Sequence, residues 1–336
     1  MSTAGDAAAG AFKVNSLRGL EYADASSGTL VWDAPRSIWN MSFIAGALIL
    51  GPMIFSWGGV AVFLLLSAVT LCVGHSVGFH RRLIHHSFEC PKWLERTMIY
   101  FGVLVGMGGP LWTVSLHDIR DWAQRQANCH WFLRHAKPAL ADGYYYLNFK
   151  LKFNAPPQFE AGPGISDDPF YRLLQRTWML HQLPVAIALF WLGGWSWVIW
   201  GVVVRVAVCL TMHWYIAHIA HRHGHQDWYV EDAAVQGYNV GWLAIPTMGE
   251  SRHCNHHAFP ASARHGLYPG QVDPGFAFVR LLEQLGLAWN VQVPSTLPPR
   301  SAITPLTERA LSIAAAGQDA VSRAWAAKHG KMPGGL

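Results

Sequence analysis

Four apolar stretches occupy the first two thirds of the chain, and they come in pairs. One pair runs from about Met41 to Phe55 and from about Val60 to Phe79, with Ser56-Trp57-Gly58-Gly59 between them. The other runs from about Pro184 to Leu192 and from about Val198 to Ile219, joined by Gly193-Gly194-Trp195-Ser196. A hydrocarbon core takes about 20 helical residues to cross, so each pair reads as a helical hairpin with a tight turn. The turns are uncharged, whereas Arg36, Arg81, Arg82, Arg172, Arg176 and Arg222 lie at the opposite ends. Basic residues mark the cytoplasmic side, so a multi-pass protein with both termini in the cytoplasm is expected, in the inner or plasma membrane if the cell is bacterial. Trp57, Trp195 and Trp197 suit the far interface, where an indole keeps its ring apolar and its N–H wet.

A fifth apolar stretch, Met98 to Leu116, is interrupted by Gly102, Gly106, Gly108, Gly109 and Pro110. Crossing there would put His117 on the opposite side from His80, so this segment is expected to lie along the membrane. Arg205 falls inside the fourth span and is expected to snorkel to the near interface rather than to make a polar contact within the bundle. Residues 1–37 are small and polar, without the pattern of a cleaved signal peptide, and read as a cytoplasmic segment. Residues 38–293 form the expected membrane domain. Beyond it, 294–336 is a tail whose Ala-rich stretch from Leu306 to Lys328 suits a peripheral surface helix.

Composition agrees. Charged residues make up 13% of the 336, about half the share in a soluble protein. The net charge of +5 comes from basic residues that flank the apolar segments, which fits membrane orientation and gives no reason to invoke nucleic acid. The five cysteines form no CxxC pair, which argues against a zinc knuckle or a disulfide framework.

The histidines change the picture, because most of the 18 fall in tight clusters. The first is His80-Arg81-Arg82-Leu83-Ile84-His85-His86, at the end of the second span. The second is His117-Asp118-Ile119-Arg120-Asp121, followed by His130. The third, at the end of the fourth span, holds His213, His218, His221, His223 and His225. The fourth is His253-Cys254-Asn255-His256-His257. Residues at i, i+3 and i+4 share a helical face, so His253, His256 and His257 are expected to aim at one point, as are His218 and His221. A lone histidine is more often structural than a ligand. Four clusters on one side of a membrane are another matter, and seven or eight imidazoles exceed the four ligands of one tetrahedral zinc. A two-metal site fits the supply, with iron the choice if O2 takes part.

These residues resemble the membrane fatty-acid desaturase family of the acyl-CoA or acyl-lipid Δ9-like type. His80 through Phe88 is similar to its first box, HxxxxH with a small residue and Phe following. Gly249-Glu250-Ser251-Arg252-His253-Cys254-Asn255-His256-His257-Ala258-Phe259-Pro260 is similar to its third, GEGxHNxHHxFP. The likeness spans roughly residues 40–293. It implies an all-α integral membrane fold: four transmembrane helices under a cytoplasmic helical cap, with two iron ions held above a bent acyl tunnel. His80, His85, His117, His253, His256 and His257 match ligand positions. His221 matches a further one, with His218 as its rival.

The second box departs from HxxHH, because Arg120 and Asp121 stand where two histidines are expected. Asp121, four residues from His117, either replaces a nitrogen ligand, pairs with Arg120 or Arg125, or orients a ligand histidine. His130 and His135 are further candidates for the missing imidazoles. Asp118, Arg120, Trp112, Trp122, Asn255 and Glu250 are expected to support the ligands or line the tunnel. Phe88 and Trp178 are plausible walls, equally explained by packing. The resemblance implies O2-dependent desaturation of a long-chain fatty acyl group carried on CoA, a carrier protein or a phospholipid. A separate electron donor of ferredoxin or cytochrome b5 type would serve it. A hydroxylase of the same superfamily is the near alternative, and a non-catalytic metal-binding membrane protein the distant one.

Overall fold

The computed structural model describes residues 16–298 and 300–316. Among these, helices carry the architecture, and the strands form three short antiparallel pairs.

The first long helix, Ala34–Met53, starts with Pro35 in its first turn, where a missing N–H costs nothing. After a three-residue turn, Ser56 caps the next helix by accepting from the Gly59 N–H at 2.9 Å. That helix runs through Trp57–Ile84 and changes hydrogen-bonding register on the way. It is α-helical to Val69 and π-helical over Thr70–Ile84.

Among the described residues, two stretches are long and apolar enough to cross a membrane, Trp57–Ile84 and Pro169–Ala220. In their most apolar windows only 22% and 33% of residues are buried, so the apolar surface faces outward. Leu64, Leu65, Ile187 and Trp191 stand exposed there. Where four spans were expected, two continuous stretches are found. The longer one is broken by Gly194, whose φ of 66° lies outside the helical range and kinks Gln182–Val198 internally, so that residues 195–198 run on through the π-helical turn Ile199–Val204 into the helix Arg205–Ala220. The interrupted segment Met98–Leu116 falls in two helices, Lys92–Val103 and Pro110–Gln124, with Gly106 at φ 86° between them.

The helix Lys92–Val103 lies directly on the π-helical segment. A Cβ on Gly74 would collide with the backbone of Phe101 and Gly102, neither of which can swing aside. Gly74→Ala is therefore expected to destabilise the fold by about 1–3 kcal/mol. A thermal melt of the detergent-solubilised protein would show it, and an unchanged midpoint would contradict the packing.

Arg205 does not snorkel. It is fully buried, with Nε on the Gly201 carbonyl at 2.7 Å, Nη1 on the Leu104 carbonyl at 2.6 Å and Nη2 on Gln182 Oε1 at 2.7 Å. The loop after Val103 brings the Leu104 carbonyl, which also accepts from Gln182 Nε2 at 2.9 Å, to the helix, and a guanidinium offers donors enough to reach all three acceptors. Arg205→Leu would leave the Leu104 carbonyl and Gln182 Oε1 buried without this donor. We expect a loss of about 2–4 kcal/mol, read as a lower melting temperature, whereas a wild-type melt would make the network dispensable.

The segment before the first helix holds two strands that sequence patterning did not reveal: Ser16–Arg18 on Gln158–Glu160, and Gly28–Trp32 on Phe149–Phe153. Past the prolines, Ile303–Pro305 pairs with Trp228–Val230, and Arg309 grips the buried Asp227 with two hydrogen bonds of 2.7 and 2.9 Å. A helix covers 308–316, and the rest of the stretch to Lys328 lies outside the described residues.

Candidate metal centre

His80 and His85 leave the π-helical segment five residues apart. On an α-helix that interval would turn the two side chains well away from each other. In i→i+5 geometry the His85 N–H bonds the His80 carbonyl at 3.1 Å, and the two Nε2 atoms stand 3.2 Å apart. His117 from Pro110–Gln124 and His256 from His253–Ala258 join them, and one ring nitrogen of each of the four lies within 4.8 Å of the others.

A second set is formed by His221, at the end of Arg205–Ala220, with His253 and His257. His253 Nε2 faces His221 Nε2 and His257 Nε2, each at 3.0 Å. The expectation that His253, His256 and His257 converge on one point is thus corrected. Successive residues on an α-helix are about 100° apart, so His256 and His257 diverge into different sets. Their helix is shared by both.

The donor chemistry fits metal cations. Neither ring nitrogen of His256 bonds anything among the described residues, although the residue is only 1% exposed. One proton cannot satisfy three converging Nε2 atoms around His253, whereas a cation accepts all their lone pairs. Burial, reinforced by neighbouring imidazoles, pushes the pKa of His85, His221, His253 and His256 well below the ordinary value. His257, also lowered first of all by burial, sits at about 4. Neutral imidazole is the metal-binding form.

Outer contacts fix the rings. Glu250 Oε2 sits 2.5 Å from His80 Nδ1, while Oε1 accepts from Ser76 Oγ at 2.6 Å and pairs with Arg81 Nη1 at 3.1 Å. Burial raises the Glu250 carboxyl, but His80 and Arg81 outweigh it and hold it well below the usual range. His221 Nδ1 donates to the Ala217 carbonyl at 2.6 Å. Asn255 ties the third box to its surroundings by donating to the His265 carbonyl at 2.7 Å and to Gln271 Oε1 at 2.9 Å.

The remaining sequence candidates fall as follows. His218 joins neither set: its Nδ1 shares Asp142 Oδ2, at 3.0 Å, with His135 Nδ1 at 2.9 Å and Trp214 Nε1 at 2.9 Å. His130 packs on Trp131. Asp121 pairs with Arg125, Oδ2 to Nη2 at 3.2 Å, and its Oδ1 lies 3.8 Å from His117 Nε2. Burial would raise its carboxyl, but His117 and Arg125 drive it far below the ordinary range. Asp118 Oδ1 is 3.6 Å from His117 Nδ1.

Trp112 and Arg120 line a cavity of about 1220 Å³, open mouth included, whose wall also holds His80, His117, His253 and Glu250. Trp122 packs instead on Phe153, Phe88 is enclosed in a core with Val77 and Leu282, and Trp178 stacks edge-on against Trp39. Sequence reasoning missed His265, which groups with His80 and Glu250, and Asp142. Neither has histidine neighbours at a telling spacing, so only the fold brings them in.

No family model matches the chain. Curated proteins do. An sn-1 stearoyl-lipid 9-desaturase of Anabaena variabilis is 36% identical over 251 residues, 72% of this chain and 87% of that protein. Acyl-CoA 5-desaturase AL21 of Anemone leveillei is 31% identical over 280 residues, 80% of this chain and 84% of its own length. Delta-9 acyl-lipid desaturase 1 of Arabidopsis thaliana is 33% identical over 259 residues, 75% of this chain and 81% of its own. Likeness over most of both partners, together with two converging histidine sets beside a cavity, makes this chain a member of the membrane fatty-acid and lipid desaturase family of oxidoreductases.

Proposed function

We propose that this protein is an O2-dependent di-iron desaturase that introduces a double bond into a long acyl chain. The observation that carries the reading is the pair of histidine sets, four and three imidazoles, meeting at one short helix on a cavity wall. His80, His85, His117 and His256 would hold one iron. His221, His253 and His257 would hold the other, and Asp121, 3.8 Å from His117 Nε2, would be the carboxylate to stand in for a missing imidazole. Iron supplies the oxidising power for removing hydrogen from unactivated methylenes, which no side chain has. The chain's own residues orient the ligands through Glu250 and the Ala217 carbonyl. Its cavity walls exclude water and set which carbons lie beside the metals. Two hydrogens leave the substrate, and O2 is reduced to water with two electrons and two protons from outside. A separate donor of ferredoxin or cytochrome b5 type meets that need.

The same reading places four spans in the bilayer and both termini in the cytoplasm. Ala34–Met53, Trp57–Ile84, residues 182–193 and residues 195–220 would be the spans, the last pair joined at the Gly194 kink. It is supported by contacts between the two uncharged turns, Ser56 Oγ to Ser196 Oγ at 2.5 Å and Trp200 Nε1 to the Ile54 carbonyl at 3.0 Å.

The test is the acyl profile of cells expressing the protein under 18O2, by gas chromatography–mass spectrometry. New alkenes free of label are expected. An alcohol carrying 18O would make it a hydroxylase instead. An unchanged profile from iron-loaded protein supplied with donor and each acyl class would overturn the reading.

A further inference from the structure

The cavity is not uniformly apolar. Besides Leu71, Leu210, Met212 and Ile216, its wall carries Arg36, Arg120 and Tyr146. Arg120 Nη1 donates to the Tyr146 hydroxyl at 3.4 Å, and the Arg36 guanidinium lies 4.3 Å from the ring centre of Trp112. The Nε of each arginine is buried and bonds nothing among the described residues.

The nearby carboxylates are engaged elsewhere. Glu250 is taken by His80 and Arg81, Asp121 by Arg125, and Asp33 lies 3.9 Å from Lys150. Among the described residues no carboxylate stands within ion-pair distance of either guanidinium, although Asp33 bears on Arg36 from farther off; cations so sheltered are costly, and metal cations at the histidine sets would add to the positive field. A guanidinium meets carboxylate and phosphate oxygens with paired donors, and a tyrosine hydroxyl adds a third. A cavity meant only for methylenes would have no use for them.

We propose that Arg36, Arg120 and Tyr146 form an anion site inside the substrate cavity, so that the acyl substrate enters with an ionised headgroup, a carboxylate or a phosphate, held by these residues. The proposal rests on the desaturase reading, which it deepens by naming the class of headgroup. It also accounts for the arginine in the second histidine box, where an imidazole gives way to a substrate-anchoring cation.

The experiment is equilibrium binding to the purified, iron-loaded full chain without electron donor, followed by tryptophan fluorescence. The probes are stearic acid, stearyl phosphate, stearyl alcohol and methyl stearate. Because no turnover is needed, failure here is separable from failure of the alkene test. The acid or the alkyl phosphate is expected to bind about tenfold or more tightly than the two neutral probes. Arg36→Gln and Arg120→Gln should each abolish that preference, and Arg36→Lys should restore part of it. A stronger acid identifies a free carboxylate as the head, and a stronger phosphate identifies a phosphorylated one. Equal binding of all four probes, or an undiminished preference in both glutamine variants, would overturn the proposal. Arg36 contacts neither histidine set, so its variant keeps the test valid if Arg120→Gln loses iron.

Discussion

His256→Ala is expected to abolish alkene formation, with activity falling by more than about 100-fold, and the purified variant to retain less iron per chain than the wild type. The ring is buried, neither of its nitrogens bonds any of the described residues, and its centre stands 4.5 and 4.8 Å from the His80 and His85 ring centres. Removing it therefore breaks no internal hydrogen bond, and the chain should remain folded while the four-imidazole set drops to three. Iron content by mass spectrometry, a circular dichroism melt and the acyl profile separate the outcomes. Folded protein with full iron and normal product would remove His256 from the centre.

Glu250→Gln is expected to produce the second large effect, through a residue that need not touch a metal. Its carboxylate holds His80 Nδ1 at 2.5 Å and so leaves Nε2 free to bind metal. The amide is uncharged, weakens the hold on the ring, and takes a negative charge away from Arg81. Arg81 still has Asp273 at 2.8 Å, so folding should survive. Iron affinity and turnover are each expected to drop by about 10–100-fold. Asp118→Asn, at the longer 3.6 Å from His117, should do less. Equal, small effects of the two variants on iron affinity would mean that Glu250 serves packing alone.

Much of this is legible in the order of residues alone. Long apolar stretches have one physical use, and i, i+4 spacing pairs His253 with His257. The family resemblance also favours His221 over His218, and the structure brings His221 to the second set. Arg205 goes the other way. Snorkelling assumes that the interface is the nearest source of polar partners, whereas the loop after Val103 supplies a carbonyl inside the bundle. Only packing across 101 residues of sequence decides that.

The chain by itself determined the membrane character, the family boxes and which imidazoles are available, because hydropathy and motif spacing are local properties. Tertiary structure alone decided how the imidazoles divide. The five-residue interval between His80 and His85 becomes a shared face only in the π-helical register of Thr70–Ile84. His256 and His257, adjacent in sequence, part because a helix turns about 100° per residue and each side meets a different partner helix. The fates of Asp121 and Arg120 were undecided in the same way. One carboxylate can bind a metal, a histidine or an arginine, and its choice depends on which of them the fold brings within a few ångströms.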